Sequence, residues 1–126
     1  MLVIVALSVA RAQAQTLTVL YNFSGGTDGA YTLAGLVRDK EGNLYGTTVG
    51  GGDLTTCPSV FFFYSGCGTV FKLDTTGKET VLHSFTNTPD GAFPFAGLLK
   101  DKAGNLYGTT FNGGAYGYGT VFKLVP

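Results

Sequence analysis

Aromatic and acidic side chains occur together in the segments that separate the apolar stretches of this chain. An exposed aromatic ring can stack on a sugar ring, and a neighbouring carboxylate can accept hydrogen bonds from the sugar hydroxyls. These residue types suggest a binding site for a glycan or a surface protein, with the candidates Asp28, Tyr31, Asp90, Phe93, Tyr116 and Tyr118. A structural role fits the same residues, because Asp-Gly is a common turn and Tyr and Phe often pack between sheets.

Residues that could catalyse a reaction or hold a metal are scarce. His83 is the one histidine, and it takes the place of Tyr21 in a related segment, which favours packing over catalysis. The sequence has no Ser-His-Asp pattern or nucleophile elbow, and Gly50-Gly51-Gly52-Asp53 lacks the lysine and the helix of a phosphate site. We therefore assign no catalytic residue, no metal site and no cofactor.

Cys57 and Cys67 lie in a segment rich in Ser, Thr and Pro. Two thiolates without a nearby histidine cannot complete a zinc shell, and in an exported chain such a pair favours a disulfide.

The four aromatic residues from Phe61 to Tyr64 (Phe61, Phe62, Phe63 and Tyr64) cannot all face inward on a strand of period two. They favour a contact surface for a partner or another sheet, or an aggregation-prone stretch.

The charge balance and the first residues bear on partners and location. Eight basic and eight acidic residues give no net charge and form no basic cluster, so neither nucleic acid nor an anionic membrane is an expected partner. Leu2 to Ala10 form an apolar run too short to span a bilayer, followed by Ala12-Gln13-Ala14. We interpret residues 1–14 as a signal peptide, although the usual positive residues before the run are missing and a buried first strand is the alternative.

One sequence pattern occurs twice. Thr18 to Thr48 aligns with Thr80 to Thr110 at a constant offset of 62 residues. Beyond this block the offset falls to 51, where Gly68 to Leu73 aligns with Gly119 to Leu124. An internal repeat of this kind indicates two copies of one structural unit.

The change of offset divides the chain. It corresponds to an insertion of 11 residues in the first copy, at about residues 53–67, that holds both cysteines. The predicted organisation is therefore repeat 1 at residues 16–78 and repeat 2 at residues 79–126.

Each copy contains four short segments rich in Val, Leu, Phe, Tyr and Thr, which is typical of strands. They lie at residues 34–38, 44–48, 69–73 and 80–85, with equivalents at 96–100, 106–110, 120–124 and 18–23. Asp-x-x-Gly connections predict tight hairpins, because the Asp can accept backbone N–H bonds and the Gly can adopt a positive φ. In an antiparallel meander the short turns then lie at one edge of each sheet and the long loops at the other, the usual place for binding.

Four antiparallel strands in a repeat of about 50 residues are typical of a β-propeller blade. The strings Ala-Gly-Leu-Val-Arg-Asp-Lys-Glu-Gly-Asn-Leu-Tyr-Gly-Thr-Thr, Gly-Thr-Val-Phe-Lys-Leu and Thr-Val-Leu-His-Ser-Phe resemble the GloVer (Gloeo/Verruco) tandem repeat of bacterial exported proteins. The resemblance implies a secreted or cell-surface repeat protein of bacterial export, with no established activity.

These patterns predict an all-β chain of β-propeller-type four-stranded repeats, in two copies and therefore an incomplete or open propeller. Because a propeller closes with roughly four to eight blades, we expect self-association through unpaired edges or a longer parent chain. Residues 18–23 or a neighbouring molecule would supply the fourth strand of the second copy. The predicted function is an extracellular scaffold or binding module, and the alternative is a fragment of an extracellular propeller enzyme that acts on polysaccharide.

Overall fold

The computed structural model describes residues 1–57 and 64–126, and within these ranges it contains strands and no helix. The strands are β1 Val37–Arg38, β2 Leu44–Thr48, β3 Thr69–Leu73, β4 Glu79–Ser84, β5 Leu99–Lys100, β6 Leu106–Thr110 and β7 Thr120–Leu124. Sheet 1 has the antiparallel order β1-β2-β3-β4, and sheet 2 has the antiparallel order β5-β6-β7. The all-β prediction is confirmed at this level.

The structure differs from the predicted strands at two kinds of position. The first strand of each sheet has only two residues, because the chain before it is used for packing: Leu36 lies over Gly46, and Leu98 lies over Gly108. Residues 18–23 form no strand in this structure, and sheet 2 consists of three strands. Residues 18–23 pack instead against sheet 1, where the ring of Phe23 meets that of Phe71 at 4.9 Å.

The two sheets pack with opposite faces, because side chains alternate across a strand. We call face A the side of sheet 1 that carries Leu44, Phe71 and Leu73, and of sheet 2 the side that carries Leu106, Phe122 and Leu124. Face B is the other side, with Tyr45, Thr47 and Val70 in sheet 1 and Tyr107, Thr109 and Val121 in sheet 2. Face B of sheet 1 packs on face A of sheet 2, and this contact forms the main core. Residues 20–23 lie on face A of sheet 1, so the layers follow the order residues 20–23, sheet 1, sheet 2.

The Asp-x-x-Gly turns close as predicted. In the β1–β2 turn, Asp39 accepts hydrogen bonds from the Asn43 backbone N–H at 2.8 Å, from Asn43 Nδ2 at 2.7 Å and from Tyr45 Oη at 3.0 Å. The β5–β6 turn repeats these bonds with Asp101, Asn105 and Tyr107. Gly42 has a φ of +93°, a conformation that favours glycine.

The turn hydrogen bonds stabilise the ionised carboxylates. Burial raises the pKa of Asp39, but the bonds from Asn43 and Tyr45 outweigh it and bring that pKa to about 2. The Asn105 bonds lower the pKa of Asp101 to about 2 against the opposing effect of burial. Both values lie below the ordinary range, so each ionised turn contributes stability that acid removes.

We expect the paired variant Asp39→Asn and Asp101→Asn to weaken the pH dependence of stability. A depressed carboxyl pKa gives stability that is complete above the unfolded value of about 3.9 and is lost as the pH falls through about 2. Urea unfolding from pH 5 to pH 2 should therefore show a lower stability at pH 5 and a shallower loss below pH 4 in the variant. Glu41→Gln, in the same turn, is the control, and an unchanged slope in the paired variant would contradict the assignment.

Glycine on β6 makes room for the ring of the neighbouring strand. A Cβ at Gly108 would lie 2.5 Å from Phe122 Cζ and 3.0 Å from Leu98 Cδ2. We expect Gly108→Ala to lower the free energy of unfolding by about 1–3 kcal/mol, because the added methyl overpacks this contact. Gly35→Ala is the control, since a Cβ there has no heavy atom within 4 Å. Urea unfolding measures both, and equal stabilities would contradict the packing argument.

Candidate functional site

Long loops gather at the edge of the sheets opposite the Asp-x-x-Gly turns. We call this the long-loop edge, and within the described residues it consists of 24–33, 49–57, 64–68, 87–95 and 111–119. Backbone bonds tie the loops together in both repeats: Val49 N–H donates to Tyr31 C=O at 3.0 Å, and Phe111 N–H donates to Phe93 C=O at 3.0 Å. The predicted site residues therefore stand on loops that are fixed to each other.

Asp28 has a structural role in its loop. Its carboxylate accepts hydrogen bonds from the Ser24 backbone N–H at 2.8 Å, from Ser24 Oγ at 2.6 Å and from Tyr21 Oη at 3.0 Å. Burial raises the pKa of Asp28, but these bonds outweigh it and lower the pKa overall. The carboxylate thus holds Tyr21 and the start of the loop in place.

Asp90 repeats this arrangement with a histidine. It accepts bonds from the Thr86 backbone N–H at 3.0 Å and from Thr86 Oγ1 at 2.7 Å, and it lies 2.7 Å from His83 Nε2. Burial raises the pKa of Asp90, and the bonds from Thr86 and His83 outweigh it and lower the pKa. The exchange of Tyr21 for His83 is thereby explained, because both side chains can donate to the carboxylate seven residues further on.

The two equivalent aromatic residues Tyr31 and Phe93 lie in different surroundings. Both have positive φ, +61° and +57°. Phe93 is buried, while Tyr31 is exposed and meets Tyr64 edge-on at 4.8 Å between ring centroids. Tyr64 also lies 6.4 Å from the ring of Phe93, so one aromatic residue of the insertion joins both repeats. Phe61, Phe62 and Phe63, the other residues of the predicted aromatic stretch, lie outside the described residues.

Tyr116 and Tyr118 are the most exposed members of the predicted set. They are 90% and 92% exposed and lie in the loop between β6 and β7, which a bridge between Gly113 and Tyr118 closes. Phe95 and Phe111 form a further partly exposed aromatic pair on the same edge, with ring centroids 5.4 Å apart. The long-loop edge therefore presents aromatic surface, while the two carboxylates of the set are bound by their own loops.

Sequence reasoning missed one acidic group. Glu79, at the start of β4, lines a cleft of about 240 Å³ between residues 17–23 and face A of sheet 1, with Leu20, Tyr21 and Phe71 among its neighbours. Burial and the nearby charge of Asp28 raise the pKa of Glu79. Glu79 Oε1 has no hydrogen-bond partner among the described residues. No sequence signal marked it, because Leu17 occupies the equivalent position of the other copy.

A disulfide joins Cys57 and Cys67, as predicted, and both cysteines are buried. The carbonyl of Cys67 accepts a hydrogen bond from Phe93 N–H at 2.9 Å, and Gly66 N–H donates to Cys57 C=O at 2.9 Å. The disulfide therefore fixes the loop of the first repeat on which the second repeat rests.

Loss of this disulfide should destabilise the fold. The bond closes a loop over a sequence separation of 10 residues, for which chain-entropy arguments give about 3 kcal/mol. We expect Cys57→Ala with Cys67→Ala to lower the free energy of urea unfolding by about this amount. Dithiothreitol should destabilise the parent chain and leave the double variant unchanged. A parent chain that is insensitive to the reductant would contradict this role.

The described residues contain no group of three His, Cys, Asp or Glu side chains placed to hold a metal ion. Because the described part of the chain contains no helix, it also contains no helix that could cross a membrane. Compared with protein-family models, curated proteins and solved structures, the chain matches none of them.

Proposed function

We propose that the chain is an exported β-propeller-type repeat protein, related to the GloVer tandem repeats, that serves as an extracellular or cell-surface scaffold and binding module. The observation that carries this proposal is the division between the two edges of the sheets. Closed Asp-x-x-Gly turns occupy one edge, and exposed aromatic residues on mutually bonded loops occupy the other. Such a scaffold is suited to binding rather than to a reaction, and no catalytic residue is part of the proposal.

Equivalent packing of the two repeats supports the propeller-type architecture. Phe85 meets Phe122 at 5.2 Å, as Phe23 meets Phe71 at 4.9 Å, so each sheet receives an aromatic ring from the segment before it. Sheets that repeat the same face-to-face contact along the chain are the basis of a propeller.

Export is supported by the buried disulfide and by the N-terminal residues. Disulfides form and persist in oxidising compartments, which lie outside the bacterial cytoplasm. The apolar run from Leu2 to Ala10 is exposed in this structure and makes no part of the core, as suits a segment that is removed on export.

Ligand binding in this proposal rests on aromatic stacking. The carboxylates of Asp28 and Asp90 accept bonds from their own loops and are less available to a ligand. The ring of Tyr116 is almost fully exposed at the long-loop edge, and stacking on a pyranose face is the chemistry it offers. The ligand class is therefore a glycan, and Tyr116 is the member of the predicted set on which the proposal rests.

Tyrosine fluorescence can test this proposal, because the chain has no tryptophan. We expect soluble β-linked oligosaccharides to change the emission, and Tyr116→Ala to weaken binding by about tenfold, which corresponds to about 1.4 kcal/mol. Lys102→Ala, on the edge of the short turns, should bind as the parent chain does. The proposal fails if the parent chain binds none of the glycans tested, or if Tyr116→Ala binds them equally well.

A further inference from the structure

Each sheet carries an exposed residue at a position whose equivalent is buried where sheet 1 and sheet 2 pack together. On face B, Val70 of sheet 1 is 0% exposed, whereas its equivalent Val121 of sheet 2 is 83% exposed. Next to face A, Leu98 is 4% exposed at sheet 2, whereas its equivalent Leu36 is 52% exposed at sheet 1. Face B of sheet 2 and the Leu36 side of face A of sheet 1 are thus equivalent to the two surfaces that already pack together. The segment ending at Phe23 covers the rest of face A, where Phe71 and Leu73 are 4% and 7% exposed.

Two backbone edges are open in the same way. In sheet 1, β3 pairs with β2 on one side and with β4 on the other. In sheet 2, the equivalent β7 pairs with β6, and its outer edge pairs with no strand in the described part of the chain. Residues 17–22 are equivalent to β4, and within the described ranges they also have no strand partner.

We propose that a second copy of this chain occupies these surfaces. Residues 17–22 of one copy pair as an antiparallel strand with the outer edge of β7 of the other copy. Face A of sheet 1 of the first copy then stacks on face B of sheet 2 of the second. The contact between sheet 1 and sheet 2 within one chain is continued between chains.

The internal repeat sets the register of this pairing. Between β3 and β4 the partners are Thr69↔Ser84, Val70↔His83, Phe71↔Val81, Lys72↔Thr80 and Leu73↔Glu79. Applying the two offsets gives the pairs Thr120↔Asn22, Val121↔Tyr21, Phe122↔Val19, Lys123↔Thr18 and Leu124↔Leu17 between copies. Leu17 replaces the charged Glu79, so the last of these pairs is wholly apolar.

The hydrogen bonds between the two repeats also have equivalents on the open surfaces. Phe85 N–H donates to Gly68 C=O at 3.0 Å, and the matching groups are Phe23 N–H of one copy and Gly119 C=O of the other.

Two further bonds follow the same pattern. Thr47 Oγ1, which is buried, donates to Pro94 C=O at 3.2 Å. The equivalent donor is the hydroxyl of the exposed Thr109, and the equivalent acceptor is Thr32 C=O of the next copy. Phe93 N–H donates to Cys67 C=O, and the equivalent donor and acceptor are Tyr31 and Tyr118.

Pairing between copies fits the layer order better than pairing within one chain. Residues 17–23 are held on face A of sheet 1 by the Phe23–Phe71 contact and by the bond from Tyr21 to Asp28. Sheet 2 lies beyond the opposite face of sheet 1. The whole thickness of sheet 1, about 10 Å for one packed sheet, thus separates residues 17–23 from β7 of the same chain.

The contact joins two different surfaces, so it is heterologous and propagates from copy to copy until it closes. Each copy contributes two sheets, and a ring of about four to eight blades would need about two to four copies. The contact covers Tyr31 and Tyr118, which take the places of the buried Phe93 and Cys67. By the same offset Tyr116 corresponds to Ser65, which is exposed, so Tyr116 remains exposed at the long-loop edge.

Sedimentation of the full chain tests this assembly. We expect a mass of two to four chains for the parent, and a monomer for Val121→Asp, because a carboxylate at this position would be buried between copies. Val121 is exposed within one chain, so the variant should fold, which its far-UV circular dichroism and urea unfolding will check.

Tyr116→Asp is the matched control, because it places the same charge at an equally exposed site outside the contact. It should assemble as the parent does, and both variants keep the apolar residues 2–10. A monomeric parent at all concentrations would overturn the proposal. Assembly that survives Val121→Asp would do so as well.

Cysteine cross-linking tests the register. Thr18 and Lys123 are both exposed and are placed opposite each other, at a spacing that a disulfide can bridge. Thr18→Cys with Lys123→Cys should form a disulfide between chains under mild oxidation. Thr16→Cys with Lys123→Cys, displaced by two residues or roughly 7 Å, should not. Equal or faster cross-linking by the displaced pair would overturn the proposed pairing.

Discussion

The packing of a phenylalanine ring over a glycine on the neighbouring strand determines how the sheets stack. In sheet 2, Phe122 lies against Gly108. The ring centroids of Phe85 and Phe122 are 5.2 Å apart. The contact of Phe23 with Phe71 in sheet 1 is equivalent. Because the aromatic ring that covers each sheet comes from the segment before it, no sheet completes its own core. The fold therefore consists of contacts between successive units, and its stability depends on these contacts.

The sequence predicts most strands because the repeat shows each of them twice. The segments at 44–48, 69–73, 106–110 and 120–124 match observed strands, since their β-branched and aromatic residues lie between two neighbours in a sheet. The prediction of a strand at residues 18–23 was wrong, since the structure has no strand there. Their sequence is that of a strand, but strand formation also needs an open sheet edge beside them, and composition carries no information about that edge. Similar sequences thus form β4 in one place and an unpaired segment in the other.

Only part of the candidate site could be predicted from the sequence. Asp28 and Asp90 stand seven residues after Tyr21 and His83, and that repeated spacing could have indicated local hydrogen bonds rather than ligand contacts. The burial of Phe93 could not be predicted from its equivalence to Tyr31, because it depends on Tyr64 and on the disulfide loop that only the first repeat has. Exposure at this edge is thus set by the adjoining unit.

The boundaries of the sequence repeat and the boundaries of the sheets differ by one strand. Residues 17–23 pack on sheet 1, whereas their equivalent, β4, pairs within sheet 1 and packs on sheet 2. A genetic duplication of one whole unit would insert a sheet whose two faces pack on the same kinds of surface as those of the existing sheets. Chains of this kind can therefore lengthen or shorten by recombination between copies without evolving a new contact. An insertion in a loop can also change how two units meet, as the one with the disulfide does where Tyr64 and Cys67 contact Phe93 of the second repeat.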